Sequence, residues 1–213
     1  MSEHEDHSAA KRQQIVSGAE LVFTECGYEG ASMSRIAAQA GVSKGTLYNY
    51  FDGKSTLFAW FVEDKARRNL DSIFQTVAEE DDPAAALAAI ALRMLEMTLS
   101  PDNLALYRMV VSEAQTFPEL ATVFWNSGPC RAIAYMTDWI RRQVAAGRLA
   151  TDNPSFAAEQ FLALCQTRVA MQCRLQLIPK ASDAEIEQVV GGAVRVFLAA
   201  YGVDPLASHG SSR

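Results

Sequence analysis

Between Ser32 and Gly53 the chain is punctuated so densely that only two short helices fit. Ser32 is a good N-cap for a segment holding Met33, Ile36, Ala37 and Ala40. Gly41 ends it, because glycine reaches left-handed backbone angles without steric cost. After Val42, Ser43 caps a second segment, Lys44 to Tyr50, and Asp52-Gly53 breaks that one. Two short helices around a glycine have helix-turn-helix spacing. In that motif the second helix enters the major groove of DNA, with its N-terminal residues at the base edges.

The rest of the sequence predicts an all-α fold. No stretch alternates with period two while rich in β-branched residues, so no strand is expected. A first helix is expected over Ala9–Cys26, where Ile15, Ala19, Val22, Phe23 and Cys26 share one face. Gly27 stops it. A long helix follows the motif, from Lys54 to Glu79. Pro83 and Pro101 open helices reaching Leu99 and Gln115. Pro118 opens one ending near Gly147 and kinked at Gly128-Pro129. Thr151-Asp152-Asn153-Pro154 starts the next, which ends before Pro179, and Ser182 caps the last, to Tyr201. The expected count is nine. Residues 1–10, which are acidic, and 203–213 read as mobile tails.

Composition narrows the function classes. Of 213 residues, 49% are hydrophobic and 21% charged, as in a globular chain. A net charge of −6 excludes a globally basic nucleic-acid binder but not a local cationic surface. The longest run without Asp, Glu, Lys or Arg, Leu120 to Cys130, is too short for a membrane span, which needs about 20 residues. The polar start reads as no secretory signal, so a cytoplasmic protein without a membrane partner is expected.

Cys26, Cys130, Cys165 and Cys173 have no zinc or redox spacing and read as reduced thiols. The histidines, His4, His7 and His209, lie in the expected tails, so no catalytic pair and no metal or cofactor site is expected. Gly41-Val42-Ser43-Lys44-Gly45 mimics a nucleophile elbow, yet no strand precedes it. Gly53-Lys54-Ser55 mimics the end of a phosphate-binding loop, yet position 48 is tyrosine where that loop needs glycine.

Within the motif, the chemistry suits a duplex. The Ser43 end offers free N–H groups and a positive dipole end, and Lys44 adds a cation. Gly45 lets backbone approach DNA, or is merely a loop glycine. Thr46 and Asn49 are groove-compatible, and Tyr48 and Tyr50 carry hydroxyls that can donate to phosphate. Leu47 and Phe51 read as core; Tyr50 reads as either. Lys44 and Lys54 are DNA cations or ordinary surface lysines. Arg35 stands where an acid would complete a capping box, which puts another cation near DNA.

From Ile36 to Leu57 the sequence resembles the tetracycline-repressor (TetR) family of bacterial transcriptional regulators, whose pattern is similar to Ile-Ala-x-x-Ala-Gly-Val-Ser-x-Gly-Thr-Leu-Tyr-x-Tyr-Phe-x-x-Lys-x-x-Leu. Ile15, Ala19, Phe23, Gly27 and Tyr28 fit the family's first helix. The resemblance implies a three-helix DNA-binding domain (11–54) and a helical domain (55–202) that binds an effector and dimerises. It implies DNA-facing positions Ser34, Ser43, Lys44, Gly45, Thr46, Tyr48, Asn49, Tyr50 and Lys54. Phe117-Pro118-Glu119-Leu120, Gly128-Pro129 and Ala157-Ala158-Glu159-Gln160-Phe161 resemble a branch linked to efflux and lipid-metabolism genes.

The implied effector is hydrophobic or amphipathic, and candidates for its pocket are Met94, Met97, Tyr107, Phe124, Trp125, Gln166, Arg168 and Met171; each also reads as plain core or as a surface pair. Trp139 and Cys165 belong to the same aromatic and sulfur-rich stretch. A homodimer seam is expected along Phe161, Leu164, Leu175, Ile186, Val189, Val190, Ala193, Val194 and Phe197, with Gly191-Gly192 allowing close helix approach. These features together predict a repressor released from operator DNA by its effector. The rival is an all-helical carrier of lipophilic molecules with no DNA role, or a small enzyme using a thiol.

Overall fold

A computed structural model describes residues 3–76 and 82–203. Eleven helices run through the described residues. They are α1 (Glu3–Gly30), α2 (Met33–Gln39), α3 (Lys44–Tyr50), α4 (Lys54–Thr76), α5 (Pro83–Thr98), α6 (Pro101–Glu113), α7 (Pro118–Ser127), α8 (Pro129–Ala145), α9 (Pro154–Leu164), α10 (Arg168–Arg174) and α11 (Asp183–Tyr201). No strand occurs among these residues. One isolated bridge, Leu149 to Gly202, ties the loop after α8 to the end of α11. The expected continuation of α4 over 77–79, and the tail from residue 204, lie outside the described residues.

Starts and stops follow local chemistry. Ser32 and Ser43 accept hydrogen bonds from the N–H of Arg35 (3.2 Å) and Thr46 (3.0 Å). Asp82, Asn153 and Ser182 cap α5, α9 and α11, the last as a full capping box with Glu185. Pro83, Pro118 and Pro154 sit in first turns, where their missing N–H is harmless.

Four expectations change. Residues 3–10, expected as part of a tail, are helical: α1 begins at Glu3. It also resumes beyond Gly27, whose positive φ of 73° breaks it, to end at Gly30. The kink at Gly128-Pro129 is a complete break between α7 and α8, since Gly128 leaves helical angles (φ −102°, ψ −86°) and Pro129 has no N–H to bridge the gap. The helix expected from Pro154 to before Pro179 is two: α9 stops at Leu164, and Thr167 turns extended (ψ −166°) before α10. Neither proline nor glycine marks that break.

By compactness the chain forms two units, residues 1–68 with 105–128, and residues 69–104 with 129–213. The first places its boundary beyond Lys54, because Leu57, Phe58, Phe61 and Val62 of α4 share one core with Ile15, Phe23, Ile36, Leu47, Leu106, Val110 and Leu120. Gly18 brings α1 against the end of α2: a Cβ there would lie 2.7 Å from that of Ala40. Aromatic rings fill the centre, with Phe23 edge-on to Phe58 at 5.4 Å and Tyr28 edge-on to Phe117 at 5.1 Å.

The second unit is built on an apolar cluster from the end of α4 with α5, α8, α9 and α11, including Leu87, Ile90, Met136, Trp139, Phe161 and Phe197. A smaller cluster joins Leu104, Val169, Cys173 and Ala181. Among the described residues no single helix is long and apolar enough to cross a membrane.

Candidate nucleic-acid interface

Helix α3 has two clearly different sides. Leu47 is fully buried, and Phe51, just past the helix, is 2% exposed; together they fix α3 to the first core. Lys44, Gly45, Tyr48 and Asn49 are exposed, and the Tyr48 ring is half in solvent. A large aromatic side chain left in water beside a lysine is a surface made to meet something. Gly45 is not a loop glycine, for it lies in the first turn of α3. A Cβ on it would meet nothing closer than Ser43 Oγ at 3.8 Å, so no neighbour within the chain demands its smallness.

The hydroxyls of Ser43 and Thr46 face each other at 2.8 Å, so both serve the helix start. Ser34 is exposed on α2. Arg35 is also exposed, but its guanidinium reaches Glu25 at 2.9 Å, an ion pair in open solvent that holds it only weakly. The turn between α2 and α3 is set by Gly41 (φ 64°) and fastened by Gln14, whose amide donates to Ala40 O at 2.7 Å.

Two expected DNA contacts have other partners. The Lys54 ammonium donates to the carbonyls of Tyr28 (2.7 Å), Ala31 (3.0 Å) and Glu29 (3.3 Å), and lies 4.4 Å from the centre of the Tyr28 ring. It is neither an idle surface lysine nor a free cation. Tyr50 is half-buried against the first core, with the Arg12 guanidinium 5.8 Å from its ring centre and 5.7 Å from that of Trp60. Its ring is therefore mainly structural.

Sequence reasoning missed Glu113. Its carboxylate accepts from the backbone N–H groups of Tyr28 and Glu29, both at 2.9 Å. Lys54 and Glu113 thus hold the carbonyl and the amide sides of the 28–31 turn that leads into α2. Burial, then Glu119 and Glu113, push the Tyr28 phenol above its ordinary pKa. No motif flags Glu113, because its partners are backbone atoms 85 and 84 positions away.

The eight candidate pocket residues are divided between the two units. Tyr107 and Phe124 pair edge-on at 6.3 Å in the first unit, where Trp125 is exposed. In the second unit Met94 is buried and Met97 partly so. Gln166 accepts from Arg174 at 2.6 Å, Arg168 pairs with Gln172 (2.5 Å) and Glu185 (3.5 Å), and Met171 faces solvent. The break at 165–167 rotates α10 away from the course assumed for a continuous helix.

The residues expected along a dimer seam differ in exposure. Phe161, Ala193 and Phe197 are buried within the chain, the two rings edge-on at 5.2 Å. Leu164, Val190 and Val194 are partly buried against the same cluster. Ile186 and Val189 lean on the smaller one. Leu175 is exposed just beyond α10. The residues of α9 and α11 that do face outward with bulk are Phe156 and Val196, which were not singled out.

A two-helix motif with a core-anchored, outward-dressed second helix defines a DNA-binding regulator of the helix-turn-helix class. Comparison with known proteins agrees. Residues 15–59 match the family described as bacterial regulatory proteins, tetR family, and residues 85–203 match the C-terminal domain of AefR-like transcriptional repressors. The transcriptional repressor Rv1474c of Mycobacterium tuberculosis is 30% identical over 75% of this chain and 80% of its own. The repressor AcnR of Corynebacterium efficiens is 28% identical over 70% and 74%. A TetR-family regulator structure from Mesorhizobium loti superposes with a TM-score of 0.84 at 28% identity, covering 92% of this chain and 98% of that one. The flavonoid-responsive regulator FrrA does so at 0.77 and 30%, covering 91% and 98%. The chain belongs to the TetR family of transcriptional regulators.

Proposed function

We propose that the protein is a homodimeric repressor that places its two α3 helices in successive major grooves of an operator and is released by a small hydrophobic or amphipathic effector. The observation that carries the DNA part is the division of α3, with Leu47 anchored in the core while Lys44, Gly45, Tyr48 and Asn49 face out. Ser34 and Arg35 of α2, with Ser43 and Thr46 at the start of α3, extend that face. Lys54 and Tyr50 act by holding the motif in place. The chromosome would make the cytoplasm its place of action.

The dimer part is supported by α9 and α11. Phe156 and Val196 stand out from these helices. Gly191 and Gly192 have nothing within 4 Å of where a Cβ would be. Packing inside the subunit gives no reason for either glycine; contact with a second subunit does. The effector part is supported by the name of FrrA, a flavonoid-responsive relative.

Gel retardation with the DNA upstream of the protein's own gene tests the DNA reading. Binding should weaken steeply with salt, and Lys44→Ala should reduce the salt slope by about one. Tyr48→Ala, at an exposed position, should weaken binding at least tenfold with an unchanged melting temperature. A carrier of lipophilic molecules would be indifferent to DNA and to both substitutions.

A further inference from the structure

In the second unit one polar atom is out of place. Trp139 on α8 is 1% exposed, and its indole Nε1–H has no hydrogen-bond partner. Among the described residues it is the one buried side-chain nitrogen in that position. The other atom in the same condition, Asp64 Oδ2, has the Arg68 guanidinium 3.0 Å away. Buried donors are almost always paired, since an unpaired one forfeits its hydration for nothing.

None of the polar groups nearby in sequence accepts a hydrogen bond from it. Thr137 donates its hydroxyl to Ile133 O at 2.7 Å. Gln143 Oε1 accepts from the Arg148 guanidinium at 2.7 Å. Tyr135 gives its hydroxyl to Asp71 at 2.5 Å.

The surroundings specify what would satisfy the donor. Trp139 packs among apolar side chains of this cluster, where burial pushes the Cys165 thiol up to about 12. A charged ligand would lose its hydration there without a counter-charge. Met94 and Met136 belong to the same cluster, and unbranched thioethers re-pack readily around a guest. Met94 and Leu162, each 9% exposed, mark where the cluster comes nearest the surface.

We propose that the Trp139 indole N–H is the polar anchor of the effector site, and that its ligand is a neutral, largely apolar molecule presenting one oxygen acceptor to it. This rests on reading the protein as an effector-responsive regulator, and it adds the residue and the chemistry of the ligand.

The test uses two probes of nearly equal shape, 2-acetylnaphthalene, which carries a carbonyl, and 2-ethylnaphthalene, which does not. The full-length protein has three tryptophans, so its ¹H–¹⁵N spectrum should show three indole signals, with Trp139→Phe identifying the one at issue. The ketone should bind roughly tenfold tighter than the hydrocarbon and move the Trp139 signal downfield. Trp139→Phe should abolish that preference while still binding both. Should that variant fail to fold, Trp60→Phe and Trp125→Phe identify the other two signals, and the shift of the remaining one decides alone. The proposal is overturned if the ketone binds without moving the signal, if the variant keeps the preference, or if neither probe binds. The effector reading fails separately, when a compound that does bind leaves the DNA complex intact. A compound that releases DNA without touching the Trp139 signal preserves that reading and sinks the anchor.

Discussion

Replacing Gly191 and Gly192 by alanine separates two explanations of the same pair. Inside a helix, glycine costs about 1 kcal/mol relative to alanine. In α11, apart from its own helix backbone and chain neighbours, neither added methyl meets a described atom within 4 Å. If the glycines faced only water, the double variant should therefore fold about 2 kcal/mol more stably, with self-association unchanged. If α11 meets its copy in a partner subunit, each methyl must fit between two helices, and the two-fold repeats every intrusion. Overpacking costs about 1–3 kcal/mol per site, so the dissociation constant of the dimer should rise by at least tenfold. Sedimentation equilibrium from nanomolar to micromolar protein reads the second quantity. Urea unfolding at a dissociating concentration reads the first, and should still show the monomer stabilised. Unchanged association together with a raised melting temperature would refute the interface assignment, since the gain would then belong to an exposed helix alone.

Two further outcomes follow from the hydrogen bonds. Glu113→Gln leaves one amide oxygen to receive two N–H groups and removes the charge, so it should destabilise by about 1–2 kcal/mol in urea unfolding. Lys54→Met, combined with it, should be non-additive by more than about 0.5 kcal/mol, because both side chains hold the 28–31 turn; simple additivity would mean that they act separately. Glu185 gives a pH signature. Its carboxyl is held below its ordinary pKa of 4.5, first by the Ser182 backbone N–H, then by the Ser182 hydroxyl, with Arg168 contributing. A depressed folded pKa means stability that is present above the unfolded value and lost as pH falls through the folded one. The melting temperature should therefore fall less steeply below about pH 4 in Glu185→Gln than in the wild type, and parallel curves would show that the capping box does not titrate with folding.

Legibility in the sequence tracked the range of the forces involved. Caps, prolines and turn glycines act within a few residues, so Ser32, Gly41, Ser43, Pro83, Pro154 and Ser182 announced the helices that they start or end. The exposed and buried sides of α3 were readable for the same reason, Leu47 and Phe51 in and Tyr48 and Asn49 out. What failed depended on rotation about a helix axis over long distances. An apolar stripe on α9 and α11 is the same in sequence whether it faces its own core or a second subunit. Phe161 and Phe197 therefore read as seam residues, while Phe156 and Val196, whose neighbours three and four positions away are polar or small, do not stand out. The break before α10 carries no proline or glycine, so the sequence reads as one helix from Pro154 to before Pro179.

Lys54 shows how a family position can be recognised while its local work is misread. It sits two residues after Asp52, at the first turn of α4, where an exposed cation would be expected to meet phosphate. In the folded chain the ammonium has three carbonyl acceptors and an aromatic face. Those carbonyls belong to the segment that follows Gly27, whose left-handed backbone allows the chain to leave α1 and enter α2. A Cβ on Gly27 would lie 2.8 Å from Glu113 Oε1, so the same glycine also makes room for the carboxylate that holds the amides of Tyr28 and Glu29. One lysine, one glutamate and one glycine therefore fix the entry to α2. Because α2 and α3 are joined by a turn that Gln14 fastens to α1, the position of Tyr48 and Asn49 depends on that entry. A substitution at Lys54 would then weaken DNA binding even if the ammonium never touched a phosphate, and its signature would be a loss of stability that Tyr48→Ala does not share.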